Sequence, residues 1–232
     1  MKTLAIETAG RTGSVALLLA GDCVAEQPLP ADTRSAQSLT LCIKQLFDRE
    51  GWSPQDIDLV AVARGPGSFT GLRVGIVTAK MIAYAVNAAI VGVNSLRALA
   101  AAAEGATPIW CVMDAQRDEC YAAKFFPEEE KPLREIETTT ILSVDDWMKR
   151  LKPNDRVVGP LLAKVGDRLP ANVECLGEEF WMPRAGIVGQ LAIEKFRHGE
   201  QDDIWQFVPD YYRKSAAEEK LNASRQQTSE KN

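Results

Sequence analysis

The sequence predicts an α/β protein built from two similar blocks, each a mixed sheet flanked by helices. Three observations carry that expectation. The order strand-strand-strand-helix-strand-helix-strand-helix can be read twice along the 232 residues. The strand runs are short and apolar, while the helical stretches carry one apolar face, as in sheets covered by helices. The composition, 46% hydrophobic and 25% charged, is that of an ordinary globular chain.

The first block spans residues 1–105. It opens with three strand-like runs, Thr3–Thr8, Ser14–Leu19 and Cys23–Leu29, joined by glycine or polar turns. A helix near Ser35–Arg49 places Leu39, Cys42, Ile43, Leu46 and Phe47 on one face. The apolar strand Leu59–Ala63 then runs into Gly65-Pro66-Gly67-Ser68-Phe69-Thr70-Gly71-Leu72-Arg73-Val74-Gly75. A helix from about Leu72 to Val86, a strand at Ile90–Val93 and a helix near Ser95–Ala103 close the block, with Asn94 and Ser95 placed to cap the last helix. The boundary falls at Glu104–Pro108.

The second block, 106–213, repeats the order. Strands are expected at Ile109–Met113, Glu119–Phe126 and Arg134–Thr140, a helix at Val144–Leu151, a strand at Arg156–Val158 and a helix at Leu161–Leu169. A strand at Val173–Leu176 and a helix at Ala185–His198 complete it. The tail, 214–232, has only Ala216, Ala217, Leu221 and Ala223 as apolar residues, and a short helix followed by disorder is expected there.

Composition also narrows the function. No apolar run approaches the roughly 20 residues that span a bilayer, and the N-terminus reads as a strand at once rather than as a signal peptide. Five cysteines, Cys23, Cys42, Cys111, Cys120 and Cys175, lie far apart with no Cys-x-x-Cys pair. That pattern suits reduced thiols in a cytoplasmic protein. The single histidine, His198, rules out multi-histidine metal sites. It stands before a terminating glycine, where a cation complements the helix dipole. A peptidase has no mechanism here, with no Gly-x-Ser-x-Gly elbow and no His-Glu-x-x-His. The net charge of −5 makes the chain a poor grip for nucleic acid by itself.

The glycine run admits two readings. It is a tight strand-to-helix turn, or a place where a phosphate or another polypeptide meets amides at a helix start. The first hairpin, Ala9-Gly10-Arg11-Thr12-Gly13-Ser14, is also able to surround a phosphate. Gly10, Thr12, Gly13, Gly67 and Ser68 are therefore weak cofactor candidates. The second hairpin, Ala115-Gln116-Arg117-Asp118, has no glycine. Glu7, Asp114, Asp118 and Glu119 flank the expected cleft; oxygen ligands of this kind suit magnesium, but they are expected to pair with Arg11, Arg117 or Arg73. The helix that follows the loop carries Gly71, Gly75, Ala79 and Ala83 at four-residue spacing. Such a stripe admits a closely packed second helix, either internal or from another subunit.

Leu4-Ala5-Ile6-Glu7-Thr8, the glycine run, Asp114-Ala115-Gln116-Arg117-Asp118-Glu119-Cys120-Tyr121 and Pro209-Asp210-Tyr211-Tyr212-Arg213 together resemble the TsaB (YeaZ) family over roughly residues 1–214. That family supplies the accessory subunit for threonylcarbamoyladenosine formation in tRNA and is paralogous to TsaD. The resemblance implies the two-lobed actin/Hsp70/sugar-kinase fold, with a ribonuclease-H-like sheet in each lobe. It implies a non-catalytic scaffold for a TsaD-like subunit, which with a TsaE-like ATPase moves the threonylcarbamoyl group onto adenosine 37 of tRNA. The tRNA is then met only indirectly, ATP and a divalent metal are used by the partner subunits, and a homodimer is expected when the partner is absent. The metal-binding His-x-x-x-His of the catalytic paralogue has no counterpart in Gly92-Val93-Asn94-Ser95-Leu96-Arg97-Ala98. Two departures stand out: Ser35 lies where the family commonly has a histidine, and Gln116 replaces an arginine. The first-lobe helices become the expected partner-binding elements, through Leu39, Ile43, Leu46, Gly71, Arg73, Gly75, Ile76, Ala79 and Ala83. The alternative is an independent nucleotide-dependent ATPase or phosphotransferase.

Overall fold

The computed structural model describes residues 1–30, 36–103, 105–128 and 131–213. Ser35 and the tail 214–232 lie outside the described residues. The elements run β1 (Lys2–Glu7), β2 (Ser14–Leu19), β3 (Asp22–Pro28), α1 (Ala36–Glu50), β4 (Leu59–Gly65), α2 (Phe69–Val86), β5 (Ala89–Asn94) and α3 (Ser95–Ala102). They continue as β6 (Ile109–Gln116), β7 (Glu119–Glu128), β8 (Lys131–Ser143), α4 (Val144–Met148), β9 (Arg156–Val158), α5 (Leu162–Val165), β10 (Glu174–Cys175) and α6 (Ala185–Arg197).

The two sheets have the same topology. The first is ordered β3-β2-β1-β4-β5 and the second β8-β7-β6-β9-β10. In each, the first three strands form an antiparallel meander. The last two join the central strand in parallel. The repeat read from the order of elements is therefore a repeat of structure.

Strand alternation sorts the first sheet's side chains onto two faces. Leu4, Ile6, Val15, Leu17, Val60 and Val62 pack with Leu39, Ile43 and Leu46 of α1 and Ile76, Ala79 and Ala83 of α2. On the opposite face, Ala5, Ala16, Leu18, Ala61 and Val91 pack with Ala98 of α3 and Val188, Ala192 and Ile193 of α6. α3 also reaches the second sheet, where Leu96 and Leu99 meet Ile109, Cys111 and Phe125. Asn94 caps it as expected, its Oδ1 accepting the Leu96 amide at 2.8 Å and the Arg97 amide at 3.1 Å.

One assignment is corrected. Residues 185–213 were expected in the second lobe, yet α6 packs on the first sheet. Its N-terminus explains the attachment. The Ala185 amide donates to Ser14 Oγ at 2.8 Å and the Gly186 amide to Glu26 Oε1 at 3.2 Å, while Arg184 pairs with Glu26 at 2.6 Å. Strands β2 and β3 thus supply the acceptors that a helix start needs. His198 sits at the other end of α6, its Nδ1 2.9 Å from the Glu194 carbonyl oxygen.

Candidate functional site

Two neighbouring features lie at the glycine run: a cleft between the lobes and the outer face of α2. The cleft encloses about 1030 Å³ and is lined by Gly10, Gly67, Ser68, Asp114, Gln116 and Tyr211, among others. Both lobe-tip hairpins are capped by their own carboxylates. Buried Glu7 accepts the Ala9 amide at 2.6 Å and the Gly10 amide at 2.9 Å through Oε1. Asp114 Oδ1 accepts the Gln116 amide at 2.8 Å, and Asp114 is ion-paired with Lys164. The second hairpin turns through three left-handed residues, Gln116, Arg117 and Asp118.

The glycine run closes against the first hairpin. A Cβ on Gly67 would lie 2.6 Å from both Ala9 Cβ and Ala9 O, so only glycine fits that approach. The Ser68 amide donates to Ala9 O at 2.9 Å, and Ser68 Oγ accepts the Gly71 amide at 3.2 Å. Of the cofactor candidates, Gly10, Gly67 and Ser68 meet in the cleft. Thr12 and Gly13 instead help line a pocket of about 30 Å³ beside Leu39 and Val74, which Gly10 also borders. The amides of Ala9, Gly10, Ser68 and Gly71 already have acceptors within the chain. At the Ala9 and Gly10 amides a phosphate would have to displace Glu7, exchanging one anion for another. Among the described residues, no three His, Cys, Asp or Glu side chains converge as a metal site would require.

Two of the cleft carboxylates find cations that sequence reasoning did not name. Asp114 meets Lys164, and Glu119 meets Arg213. Arg73 lies over the Phe69 ring at 4.1 Å and donates from Nε to Tyr211 Oη at 3.0 Å. Burial holds the Tyr121 phenol above its ordinary pKa, with Asp114 adding to the effect. It holds the Tyr212 phenol up as well.

The second feature corrects the expected partner surface. Leu39, Ile43, Leu46, Gly75, Ile76, Ala79 and Ala83 are buried within this chain. The small-residue stripe of α2 faces its own sheet, because the end of β1 runs directly beneath it. A Cβ on Gly71 would stand 2.0 Å from Thr8 O, and one on Gly75 2.1 Å from Thr8 Oγ1. Gly71 therefore belongs to this inward contact too. Of the expected partner-binding residues, Arg73 is the one with its side chain out in solvent.

What faces outward is a stripe that the small-residue pattern hid. Phe69, Arg73, Val77 and Met81 follow one another at four-residue spacing, with Tyr84 beside them. Val77 is 54% exposed, Met81 67% and Tyr84 67%. Trp205, 74% exposed, stacks edge-on against Tyr84 at 5.4 Å, and Tyr211 meets Phe69 at 5.1 Å. The available signal was that α2 is apolar on nearly every side. Its small residues fit against a sheet backbone together with Leu72 and Ile76, while Phe69, Val77, Met81 and Tyr84 fall on the opposite face. By length and composition α2 could cross a membrane, but its inward stripe is packed on the sheet and Lys80 Nζ donates to Phe207 O at 3.1 Å.

Comparisons with known proteins converge on one family. The family TsaD, tRNA N6-adenosine threonylcarbamoyltransferase, matches residues 26–170. The chain is similar to the tRNA threonylcarbamoyladenosine biosynthesis protein TsaB of Escherichia coli, at 30% identity over 95% of this chain and 98% of that protein. The solved structure of YeaZ from Pseudomonas aeruginosa superposes with a TM-score of 0.78 at 25% identity, over 90% of this chain and 99% of that one. The activator of the 2-hydroxyisocaproyl-CoA dehydratase from Clostridium difficile shares the fold alone, with a TM-score of 0.51 at 11% identity over 86% of this chain and 97% of that one. The two-lobed actin/Hsp70/sugar-kinase architecture expected from the resemblance is thus the fold of this chain.

Proposed function

This chain belongs to the TsaB family, paralogous to TsaD, and on that premise we propose that it is a non-catalytic scaffold subunit in the formation of threonylcarbamoyladenosine in tRNA. It binds a TsaD-like catalytic subunit and acts in the cytoplasm. The TsaE-like ATPase joins through the complex, and ATP and a divalent metal work on the partner subunits. The tRNA is met through the assembly rather than by this acidic chain alone.

The observation that carries the reading is the outer face of α2. Val77, Met81 and Tyr84 each leave half or more of their surface in water, on a helix whose other face is fully packed. A contiguous apolar patch of this kind marks a protein contact. Aromatic and methionine side chains are the residue types enriched at such contacts, and arginine joins them. The self-capped hairpins support the non-catalytic part, since two of the amides open to a phosphate, those of Ala9 and Gly10, hold Glu7 instead. A homodimer through the same face forms when the catalytic subunit is absent.

Reconstitution tests the reading. Purified TsaD-like and TsaE-like subunits should modify tRNA with this chain present and fail, or slow greatly, without it. Equal modification with and without the chain would overturn the proposal. The cleft leaves room for the alternative of an independent nucleotide-dependent enzyme. Calorimetry with ATP and magnesium on the isolated chain decides that point, because tight binding with turnover contradicts a scaffold.

A further inference from the structure

The segment Asp202–Arg213 follows α6 and crosses from the first lobe to the second. Its early part is fixed to the first sheet. The Asp202 amide donates to Ile90 O at 2.9 Å, and Asp202 Oδ2 accepts the Gly92 amide at 2.7 Å. Arg64 pairs with Asp202 and with Asp210, each at 3.0 Å, and lies over the ring of buried Phe207. The Asp210 amide closes the attachment onto Arg64 O at 2.8 Å.

The next three residues run on along the cleft and reach the second lobe. Tyr211 Oη accepts from Arg73 on α2. Tyr212 Oη accepts from Asn94 Nδ2 at 3.1 Å, and the same nitrogen lies 3.1 Å from Thr139 Oγ1 on β8, in the second lobe. The Tyr212 ring stands edge-on to Tyr121 on β7 at 6.1 Å. Arg213 pairs with Glu119, the first residue of β7. Asp210, Tyr211, Tyr212 and Arg213 all line the cleft. The two lobes are therefore joined by α3, wedged between the sheets, and again by this strap at the cleft.

We propose that Tyr211–Arg213 is a latch that sets the width of the interlobe cleft, with α3 as the hinge about which the second lobe turns when the latch is released. A strap anchored on one lobe by a buried aromatic, two ion pairs and the Tyr212 hydroxyl, and on the other by one ion pair and one ring contact, releases at the weaker end. That weaker end is Tyr212 and Arg213. Hinge closure about a few element-terminal residues is a standard form of two-lobe motion. The proposal concerns this chain alone and stands whether or not the scaffold reading does.

The chain carries its own reporters. Its two exposed cysteines, Cys23 on β3 and Cys175 on β10, stand one in each lobe, while Cys42, Cys111 and Cys120 are buried. Nitroxide labels on Cys23 and Cys175 of the full-length protein give the interlobe distance by pulsed electron paramagnetic resonance. The wild type should show one narrow distribution. Arg213→Glu, which sets two carboxylates against each other, should shift it to longer distances and broaden it. The exchange Glu119→Arg with Arg213→Glu should restore the narrow distribution, which a loss of general stability would not do. An unchanged distribution in folded Arg213→Glu overturns the latch, and so does a double variant that stays as open as the single one. Where circular dichroism shows that Arg213→Glu does not fold, Arg213→Gln decides in its place. It removes the charge that pairs with Glu119 and keeps a polar side chain there, so it should broaden the distribution, and a wild-type distribution in that variant also overturns the latch.

Discussion

The two faces of α2 differ in what they tolerate, and the difference separates fold from function on a single helix. The inner face sets Gly71 and Gly75 against Thr8 at distances that leave no room for one more atom, and packs Ile76, Ala79 and Ala83 on the first sheet. The outer face is Phe69, Arg73, Val77, Met81 and Tyr84, large side chains turned to water. Close packing dictates the first set, whereas Val77 and Met81 in the second stand more than half exposed. Conserving volume matters on one side of the helix, and conserving chemistry matters on the other.

Ala79→Glu should break the inner face outright. Ala79 is fully buried among Leu4, Ile6 and Val62, and a carboxylate there has neither a partner nor water. Leaving a buried charge uncompensated costs about 3–5 kcal/mol, a large share of a domain's stability. Urea unfolding should show a lower midpoint or no cooperative transition. A variant as stable as the wild type would mean that the stripe faces outward after all. Because a charge on this face acts through the fold, loss of partner binding by Ala79→Glu or Gly75→Glu says nothing about the interface.

Gly75→Ala is the subtler form of the same break. Its new methyl would sit 2.1 Å from Thr8 Oγ1, and overpacking of this kind costs about 1–3 kcal/mol. Combining it with Thr8→Ala should recover part of that loss, and a double-mutant cycle measures the coupling. Strictly additive effects would show that the two residues do not collide.

Met81→Glu reads the outer face. At a position 67% exposed it should leave stability within about 0.5 kcal/mol of wild type. Truncating or charging an interface anchor commonly costs more than about 1 kcal/mol of binding. Calorimetric titration with a TsaD-like subunit should therefore show an affinity about tenfold weaker, the equivalent of about 1.4 kcal/mol. Unchanged affinity together with unchanged stability would remove this face from the partner interface.

The same contrast explains what could be read from the sequence. Both meanders, the strand β4, the turn into α2 and the Asn94 cap were legible because their signals are local: alternation, glycine spacing and a capping side chain. The orientation of α2 was not, because a helix apolar all round does not say which apolar stripe meets the sheet. The destination of α6 was hidden for a related reason. Periodicity shows that Val188, Ala192 and Ile193 share a face, but not which of two equivalent sheets receives it. The strap was out of reach altogether. Arg64 finds Asp202, and Arg73 finds Tyr211, each across 138 residues, and no local pattern encodes such a pairing.

The smallest expected effect lies at a polar side-chain atom under the inner face. Thr8 Oγ1 is buried and has no hydrogen-bond partner among the described residues. A buried hydroxyl with no partner is a cost that an apolar group of the same shape avoids. Thr8→Val keeps the β-branched outline, so stability should stay the same or rise by up to about 1 kcal/mol. The urea midpoint of Thr8→Val against wild type measures it. A clear loss would show that Oγ1 does find a partner in solution, such as a trapped water, and that the inner face of α2 is less purely a matter of shape than its glycines and alanines imply.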